Sequence, residues 1–241
     1  RDNIDFEKSL SKDFGSLNIG VIKNIEKLGI SEDVINAYET SKTVLTGLGH
    51  KLIEVDFSEL SSGICSYYVI APAECSSNLS RFDGVKYGYR SEGEKDIANL
   101  YMNTRSDGFG DEVKKRILIG THVLSAGFYD AYYLQAQKVR RMIKVKFEDF
   151  FKEVDLIFMP TTLDQAFEKN RKSDDPNRMY KEDLLTIPAN LAGLPAISFP
   201  NGFKNNLPIG GQLIGKYFGE DLLLNTTNKI QEVTDWHKMT P

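Results

Sequence analysis

The sequence predicts an α/β protein, with helices flanking a central sheet that is largely parallel or mixed, in a single domain over residues 1–241. Strand-like and helix-like segments alternate along the chain, beginning with a strand, a helix and a strand within residues 17–57. Two short apolar strands, punctuated by glycine and proline, then occupy residues 196–215. A chain of 241 residues is long enough to bury a large core.

Composition excludes several classes of protein. With 41% hydrophobic and 27% charged residues the chain is typical of a globular protein, and its formal net charge of −4 gives no overall attraction for nucleic acid or anionic membranes. No apolar run approaches the roughly 20 residues of a spanning helix. Two cysteines and three histidines form neither a disulfide framework nor a clustered metal site. We expect a cytoplasmic protein, or an organellar one if the source is eukaryotic, without membrane association.

Hydrophobic periodicity predicts the first strand, helix and strand. Apolar residues alternate in residues 17–21, as they do in a strand. Ser31 is placed to cap a helix with an acidic first turn, whose apolar residues recur at helical spacing until Gly49. Apolar residues alternate again in residues 53–57. A right-handed crossover should therefore make the two strands parallel.

Helices are predicted through the middle of the chain. The apolar residues 67–79 predict a helix entered near Pro72, since proline is tolerated in the first helical turn. The polar, glycine-bearing residues 87–111 predict a surface excursion. Residues 112–126 predict a helix that is apolar on most sides and therefore buried, and residues 129–153 predict a longer amphipathic helix.

A buried strand is predicted over residues 156–159, followed by a polar loop. Asp175 and Pro176 then predict a helix start, because aspartate is a favoured cap and proline is favoured at the first helical position.

The chain closes on a pair of strands and a helix. A strand over residues 196–199, a loop opened by Gly202 and a return strand over residues 212–215 predict two sheet strands joined by a tight connection. Residues 220–236 predict a final helix with one apolar side. We expect the strand pair to support the helix that carries Asp183 and not to react itself.

Two charged residues fall on helix faces that are otherwise apolar. Arg116 lies on the helix that is predicted to be buried, where a guanidinium needs an anion. Asp183 is surrounded by apolar residues at helical spacing and needs a cation. The two could form an internal ion pair, or they could lie at opposite ends of a pocket for an α-amino acid. In that pocket the ligand carboxylate faces Arg116 and the ligand ammonium faces Asp183.

The residues alone indicate no catalytic machinery. Ser76 and Ser77 have no lysine or histidine placed by spacing to activate them, and the sequence contains no GGSSGG-like loop. Walker A, GxGxxG and HExxH patterns are also missing. The basic residues within 138–146 could contact nucleic acid, but the acidic residues that follow favour a solvated helix face.

Several segments resemble the amidase signature family. The glycine-proline motif of residues 187–216 points to the family as a whole. The segments SNLSRFDGVKYGYR (residues 77–90) and DDPNRMY (residues 174–180) point within it to the A subunits of glutamyl-tRNA(Gln) amidotransferases. The resemblance covers nearly the whole chain and implies the C-terminal part of an amidase signature domain.

The resemblance implies a specific chemistry. Proteins of this kind liberate ammonia from glutamine with a Ser, cis-Ser, Lys triad. The ammonia passes to a B subunit, which amidates ATP-activated Glu-tRNA(Gln), and a small C subunit clamps the complex. ATP and Mg would act through the partner subunit, and this chain itself would hold no cofactor or metal. Arg116 matches the position that binds the α-carboxylate of glutamine, Asp183 the position for its α-ammonium, and Tyr67 the pocket wall.

The segment that holds the triad precedes the matched part and is absent from the 241 residues. Since the chain also begins with Arg1, we expect a fragment of such an A subunit without catalytic residues, inactive by itself. A non-catalytic, amidase-like scaffold protein and a hydrolytic amidase of the same family are the alternatives. Use of Asp-tRNA(Asn) in place of Glu-tRNA(Gln) is open as well.

Overall fold

The computed structural model describes residues 5–93, 96–169 and 182–241. The chain separates into two compact units, one of Arg1–Ile64 with Arg141–Pro241 and the other of Cys65–Arg140. The first unit contains the sheet, and the second is built on helices. The single domain over residues 1–241 stays a prediction.

The described residues of the first unit form a five-stranded sheet in the order β2-β1-β3-β5-β4. Strand β1 is parallel to β2 and to β3, whereas β5 is antiparallel to β3 and to β4. The predicted mixed sheet and the predicted parallel strands of the first strand-helix-strand unit are therefore confirmed. The strands are β1 (Asn18–Ile22), β2 (Lys51–Val55), β3 (Leu156–Pro160), β4 (Ala196–Lys204) and β5 (Leu207–Gly215).

The helices follow the predicted alternation, with differences in several bounds. Helix α2 begins directly after Ser31, as predicted, although the Ser31 side chain makes no capping hydrogen bond. The described α-helices are α1 (Phe6–Leu10), α2 (Glu32–Gly47), α3 (Gly63–Leu79), α4 (Ile97–Gly108), α5 (Asp111–Val123), α6 (Leu134–Glu153), α7 (Ile187–Ala192) and α8 (Glu220–Val233).

Tyr38 packs the crossover helix α2 against the sheet. Its ring is fully buried and stacks on the ring of Phe158 in β3, with 5.1 Å between the centroids. Its hydroxyl accepts a hydrogen bond of 2.8 Å from the backbone N–H of Ile22, at the end of β1. Burial raises the pKa of the Tyr38 phenol, so the group stays neutral at physiological pH. One side chain thus links α2 to two parallel strands.

Two of the predictions for the helical middle were wrong because they rested on single residues or on composition. Helix α3 begins at Gly63 and continues through Pro72, which lies inside it and not at its start. Ile70 and Ala73 are buried on either side of the proline, and this packing offsets the roughly 3 kcal/mol that an internal proline costs. Helix α5 is mostly exposed, since only Gly120 and Val123 are buried in it.

Helix α4 lies inside the predicted surface excursion, where the sequence analysis assigned no helix. The Asp96 carboxylate caps it by accepting a hydrogen bond of 3.1 Å from the Asn99 N–H. Only Leu100 and Thr104, one turn apart, are buried. The apolar stripe is thus too narrow to produce a clear periodic pattern in the sequence.

The C-terminal strands are longer than predicted. Strand β4 passes through Gly202, where a loop was predicted, with an irregularity in its pairing between Pro200 and Gly202. The hairpin turns at Asn205 and Asn206, with φ of 53° and 62°, as a two-residue turn with positive φ at both positions requires. The predicted strand pair with a tight connection is confirmed, but the turn lies three residues beyond Gly202.

Of the remaining predictions, some are confirmed, one differs in its bounds and one cannot be compared with the structure. The long helix and the buried strand after it are confirmed as α6 and β3, with one π-helical turn, Tyr129–Tyr133, at the start of the helix. The closing helix α8 ends at Val233, earlier than predicted. The helix start at Asp175 and Pro176 lies outside the described residues.

His50 gives the fold a pH dependence. It is 5% exposed, and its Nδ1 accepts a hydrogen bond of 3.2 Å from the backbone N–H of Leu17. Burial lowers the pKa of His50, and the charge of Lys229 lowers it further. The folded chain therefore takes up this proton at a lower pH than the unfolded chain, whose histidine has a pKa of about 6.5.

We expect this histidine to destabilise the fold in acid. Its contribution is fully present above about pH 6.5 and is lost as the pH falls towards the lowered pKa of the folded state, at up to about 1.4 kcal/mol per pH unit. Urea unfolding between pH 7.5 and 5 should therefore show a shallower loss of stability in His50→Gln than in the parent chain. His237→Gln, which changes an exposed histidine, is the control. Equal slopes in all three proteins would contradict the assignment.

Removal of the Tyr38 hydroxyl should weaken the fold without changing the packing of the ring. Tyr38→Phe leaves the Ile22 N–H without its acceptor inside the core, and we expect the free energy of unfolding to fall by about 1–3 kcal/mol. Urea denaturation measures this value, with Tyr101→Phe at an exposed position as the matched control. A loss no greater than that of the control would show that the hydrogen bond does not stabilise the sheet.

Candidate functional site

The α3–α5 pair of the Cys65–Arg140 unit brings two of the predicted site residues together. Tyr67 lies on α3 and Arg116 on α5, and a side-chain hydrogen bond joins them. Further along the pair, the Ser76 hydroxyl on α3 lies 2.9 Å from the Thr121 hydroxyl on α5. The guanidinium donates to the phenol oxygen, because arginine has no acceptor.

Arg116 is held by contacts on three sides. Its Nε donates a hydrogen bond of 3.0 Å to Oε1 of Glu112, one turn earlier on the same helix. The guanidinium carbon also lies 5.9 Å from the centre of the Tyr68 ring. The hydrogen bond with Tyr67 raises the pKa of Arg116 most, and the contact with Glu112 raises it further. These contacts restrict the plane of the guanidinium, which is charged in any case.

The surroundings of Arg116 differ from those predicted. Its side chain is 30% exposed, on a helix that is not buried. The hydrogen bonds to Tyr67 and Glu112 use two of the five guanidinium N–H donors, so the fork keeps donors with which it could bind a carboxylate. The Glu112 partner was missed, although its spacing to Arg116 is that of a helical ion pair and could have indicated it.

Asp183 belongs to the other unit, that of Arg1–Ile64 with Arg141–Pro241. It is half-buried and lies in a turn that leads into α7, so the helix predicted around it is not present over residues 182–186. Its backbone carbonyl accepts hydrogen bonds from the N–H groups of Thr186, at 3.2 Å, and Ile187, at 3.0 Å. The carboxylate is thus carried by a local turn, and neighbouring elements must hold that turn in place.

Gln212 supplies that support, and the sequence analysis did not single it out. It is buried in β5, and its amide nitrogen donates to the carbonyl oxygen of Pro160 at 3.1 Å and to that of Leu185 at 3.0 Å. One side chain therefore ties the turn of Asp183 to the end of β3. This arrangement agrees with the expectation that the glycine-proline segment supports the residues around Asp183.

Other candidate residues have structural partners. The Thr121 hydroxyl donates its single proton to the Ile117 carbonyl oxygen at 2.8 Å, so Ser76 donates to Thr121. Ser76 is thereby part of the helix contact. Within the basic run on α6, Lys144 and Lys146 form ion pairs with acidic side chains at 3.9 and 3.5 Å.

The described residues offer neither a metal-binding cluster nor a membrane-spanning helix. They contain no group of three or more His, Cys, Asp or Glu side chains arranged to hold a metal ion. Over the same residues, each helix is too short or too polar to cross a membrane.

The fold and these motifs agree with comparisons to known proteins. A family described as "Amidase" matches residues 2–224. The chain belongs to the amidase family. It is also similar to proteins named as the A subunit of glutamyl-tRNA(Gln) amidotransferase, with 51% identity to that of Hahella chejuensis and 49% to that of Coxiella burnetii, each over 237 residues. The resemblance to these A subunits is confirmed.

The alignments cover nearly all of this amidase-family chain but only part of each relative. In both comparisons the alignment covers 98% of this chain and 49% of the relative. The chain therefore spans about half the length of the curated relatives that it matches.

Solved structures confirm the fold class. The crystal structure of the glutamyl-tRNA(Gln) amidotransferase A subunit from Thermotoga maritima has a TM-score of 0.69 at 36% identity, over 93% of this chain and 44% of that one. A 6-aminohexanoate cyclic dimer hydrolase has a TM-score of 0.73 at 19% identity, over 100% of this chain and 50% of its own. The second likeness shows the fold alone.

Gln212 provides a test of how the turn of Asp183 is held. Gln212→Leu leaves two buried carbonyl oxygens without their amide donor, so we expect a loss of about 2 kcal/mol or more in stability. Amide hydrogen exchange at Thr186, whose N–H closes the turn, should also accelerate. Unfolding and exchange measurements on the purified chain check both effects.

A matched control is available in Gln165. Its amide nitrogen also bridges two carbonyl oxygens, those of Lys204 at 2.9 Å and Leu207 at 3.5 Å, but it is only partly buried. Gln165→Leu should cost less than about 1 kcal/mol and leave exchange at Thr186 unchanged. Equal effects of the two substitutions would mean that Gln212 does not hold the turn.

Proposed function

We propose that this chain is the C-terminal part of the A subunit of a glutamyl-tRNA(Gln) amidotransferase and that it contributes the residues that bind glutamine. The main support is the match of 98% of the chain, at 51% identity, to a protein of that name. The setting of Arg116 supports the binding role, because a charged guanidinium held by Tyr67 is suited to a carboxylate. The proposed compartment is the cytoplasm, as expected from the sequence.

In this proposal Arg116 binds the α-carboxylate of glutamine, Asp183 binds its α-ammonium and Tyr67 forms part of the pocket wall. Glutamine would be hydrolysed to supply ammonia, which the complex would use to convert ATP-activated Glu-tRNA(Gln) to Gln-tRNA(Gln). The B and C subunits are the proposed partners in a heterotrimer, and ATP and Mg would act in a partner subunit. The tRNA would be bound mainly by the B subunit.

The 241 residues alone should not hydrolyse glutamine. The sequence contains no nucleophile constellation, and without a nucleophile no acyl-enzyme can form. The Ser76 hydroxyl, on the same helix as Tyr67, donates its proton to Thr121 on the neighbouring helix. The contribution of this chain is therefore to bind and orient the substrate.

No observation favours a hydrolytic amidase over the amidotransferase. The likeness to the 6-aminohexanoate cyclic dimer hydrolase, at 19% identity, shows a shared fold and gives no information on the substrate. The relatives of high identity bear the amidotransferase name.

A chimera tests the proposal. The matching 237-residue segment of the Hahella chejuensis A subunit is replaced by the residues of this chain, and the complex is prepared with its B and C subunits. We expect glutamine-dependent formation of Gln-tRNA(Gln). Arg116→Ala and Asp183→Ala should each lower kcat/KM for glutamine by at least about thirtyfold, since loss of one partner of a bound charge pair costs about 2 kcal/mol or more.

Three controls separate glutamine binding from a general loss of structure. Amidation driven by ammonium chloride should persist in both variants, because it bypasses the glutamine site. Lys115→Ala on α5 and Glu182→Ala beside Asp183 change neighbouring charges and should leave kcat/KM for glutamine nearly unchanged. The 241-residue chain by itself should show no glutamine turnover. Undiminished glutamine use in Arg116→Ala and Asp183→Ala would overturn the pocket, and an inactive parent chimera would overturn the assignment to the A subunit.

A further inference from the structure

The α3–α5 pair has one point of very close approach, at Gly120. A Cβ atom added there would overlap the carbonyl oxygen of Pro72 and would lie 2.7 Å from Cβ of Ser76, closer than real Cβ atoms approach other atoms. The obstructing oxygen belongs to the backbone of α3, so a change of side-chain rotamer cannot relieve the overlap. The two helices can therefore pack this closely only if residue 120 has no side chain.

The identity of residue 120 is not explained by helix stability. A helix with glycine at an interior position is less stable than the same helix with alanine there, by about 1 kcal/mol. Gly120 lies within α5 and its φ is not in the left-handed region that favours glycine, so the backbone conformation would accept alanine. The requirement for glycine comes from the neighbouring helix.

The close contact and the proposed glutamine site lie on the same faces of the two helices. On α5, Gly120 follows Arg116 by one turn, and residues at this spacing lie above one another. On α3, Pro72 follows Tyr67 and Tyr68 by about one turn. One helix turn rises only about 5.4 Å. The contact at Gly120 therefore also sets the distance between the helices one turn earlier, where Arg116 contacts Tyr67.

A hydrogen bond fixes the register of the same contact. The Ser76 hydroxyl donates to Thr121 at 2.9 Å, and the Thr121 hydroxyl donates to the Ile117 carbonyl oxygen at 2.8 Å. The contact at Gly120 sets the separation of the helices, and the Ser76–Thr121 bond opposes sliding of one along the other.

We propose that Gly120 is a positioning residue for glutamine, because its contact with Pro72 holds the Arg116 guanidinium at Tyr67. The inference rests on the proposed glutamine-binding function and adds to it the residue that sets the geometry of the carboxylate site. A side chain at position 120 moves α5 away from α3 and displaces the guanidinium from the substrate carboxylate. A displacement of about 1 Å can lower activity about a hundredfold.

The experiment uses the chimeric amidotransferase complex. In Gly120→Ala we expect KM for glutamine to rise by about tenfold or more, with ammonium-driven amidation unchanged. Gly47→Ala is the matched control, since Gly47 is also helical but a Cβ atom there meets nothing within 4 Å. Gly120→Ala should further have little effect on KM in an Arg116→Ala background. If Gly120 acts only by positioning Arg116, its effect on glutamine binding is already lost when Arg116 is removed.

The outcomes separate this inference from the proposed function. If Arg116→Ala lowers glutamine use but Gly120→Ala does not, the positioning role is wrong and the proposed function stands. Independent, additive effects of the two substitutions would also overturn the role. If Arg116→Ala itself has no effect, the proposed function fails first.

A milder variant covers the case in which Gly120→Ala does not fold. Thr121→Val keeps the branched shape but removes the acceptor of the Ser76 hydrogen bond. It should raise KM for glutamine several-fold in the parent complex and have no effect in the Arg116→Ala background. An unchanged KM for glutamine would overturn the inference.

Discussion

The first unit depends on the pairing of β3 at the centre of the sheet. Residues Leu156 to Met159 have no exposed surface, and β3 joins the parallel strands β1 and β2 to the antiparallel hairpin of β4 and β5. The carbonyl oxygen of Pro160 at the end of β3 accepts a hydrogen bond from Gln212, which also holds Leu185. Register in β3 therefore sets the place of the turn that carries Asp183.

In the second unit, Arg116 is placed by a different kind of interaction. In the first unit a buried amide holds a turn through directional hydrogen bonds. Between α3 and α5, backbone atoms meet at Gly120, and packing sets the distance. Hydrogen bonds tolerate small changes in side-chain volume, whereas a backbone contact at this distance tolerates none. The charge on α5 is thus placed by sterics and the charge on the turn by polar contacts.

Sequence periodicity predicted the elements with wide apolar faces, such as α2, α6 and β3, because burial imposes the pattern. It failed at α4, where only Leu100 and Thr104 are buried. It also failed at α5, whose apolar residues are not all buried, since Leu118 is 71% exposed. Arg116 was selected because the helix was predicted to be buried, and the resemblance, not that burial, supports its role. The roles of Gln212 and Gly120 depend on what lies opposite them, which spacing along one chain does not show.

The partner found for Arg116 bears on the two interpretations that the sequence left open, an ion pair or a binding site. Glu112 lies one turn away on the same exposed helix, and ion pairs of this kind contribute only about 0.3–0.5 kcal/mol. Such a pair orients the guanidinium, yet a substrate carboxylate can share or replace it at small cost. A deeply buried ion pair would need several kcal/mol to open. The exposed pair is therefore compatible with a site that binds and releases its ligand in every turnover.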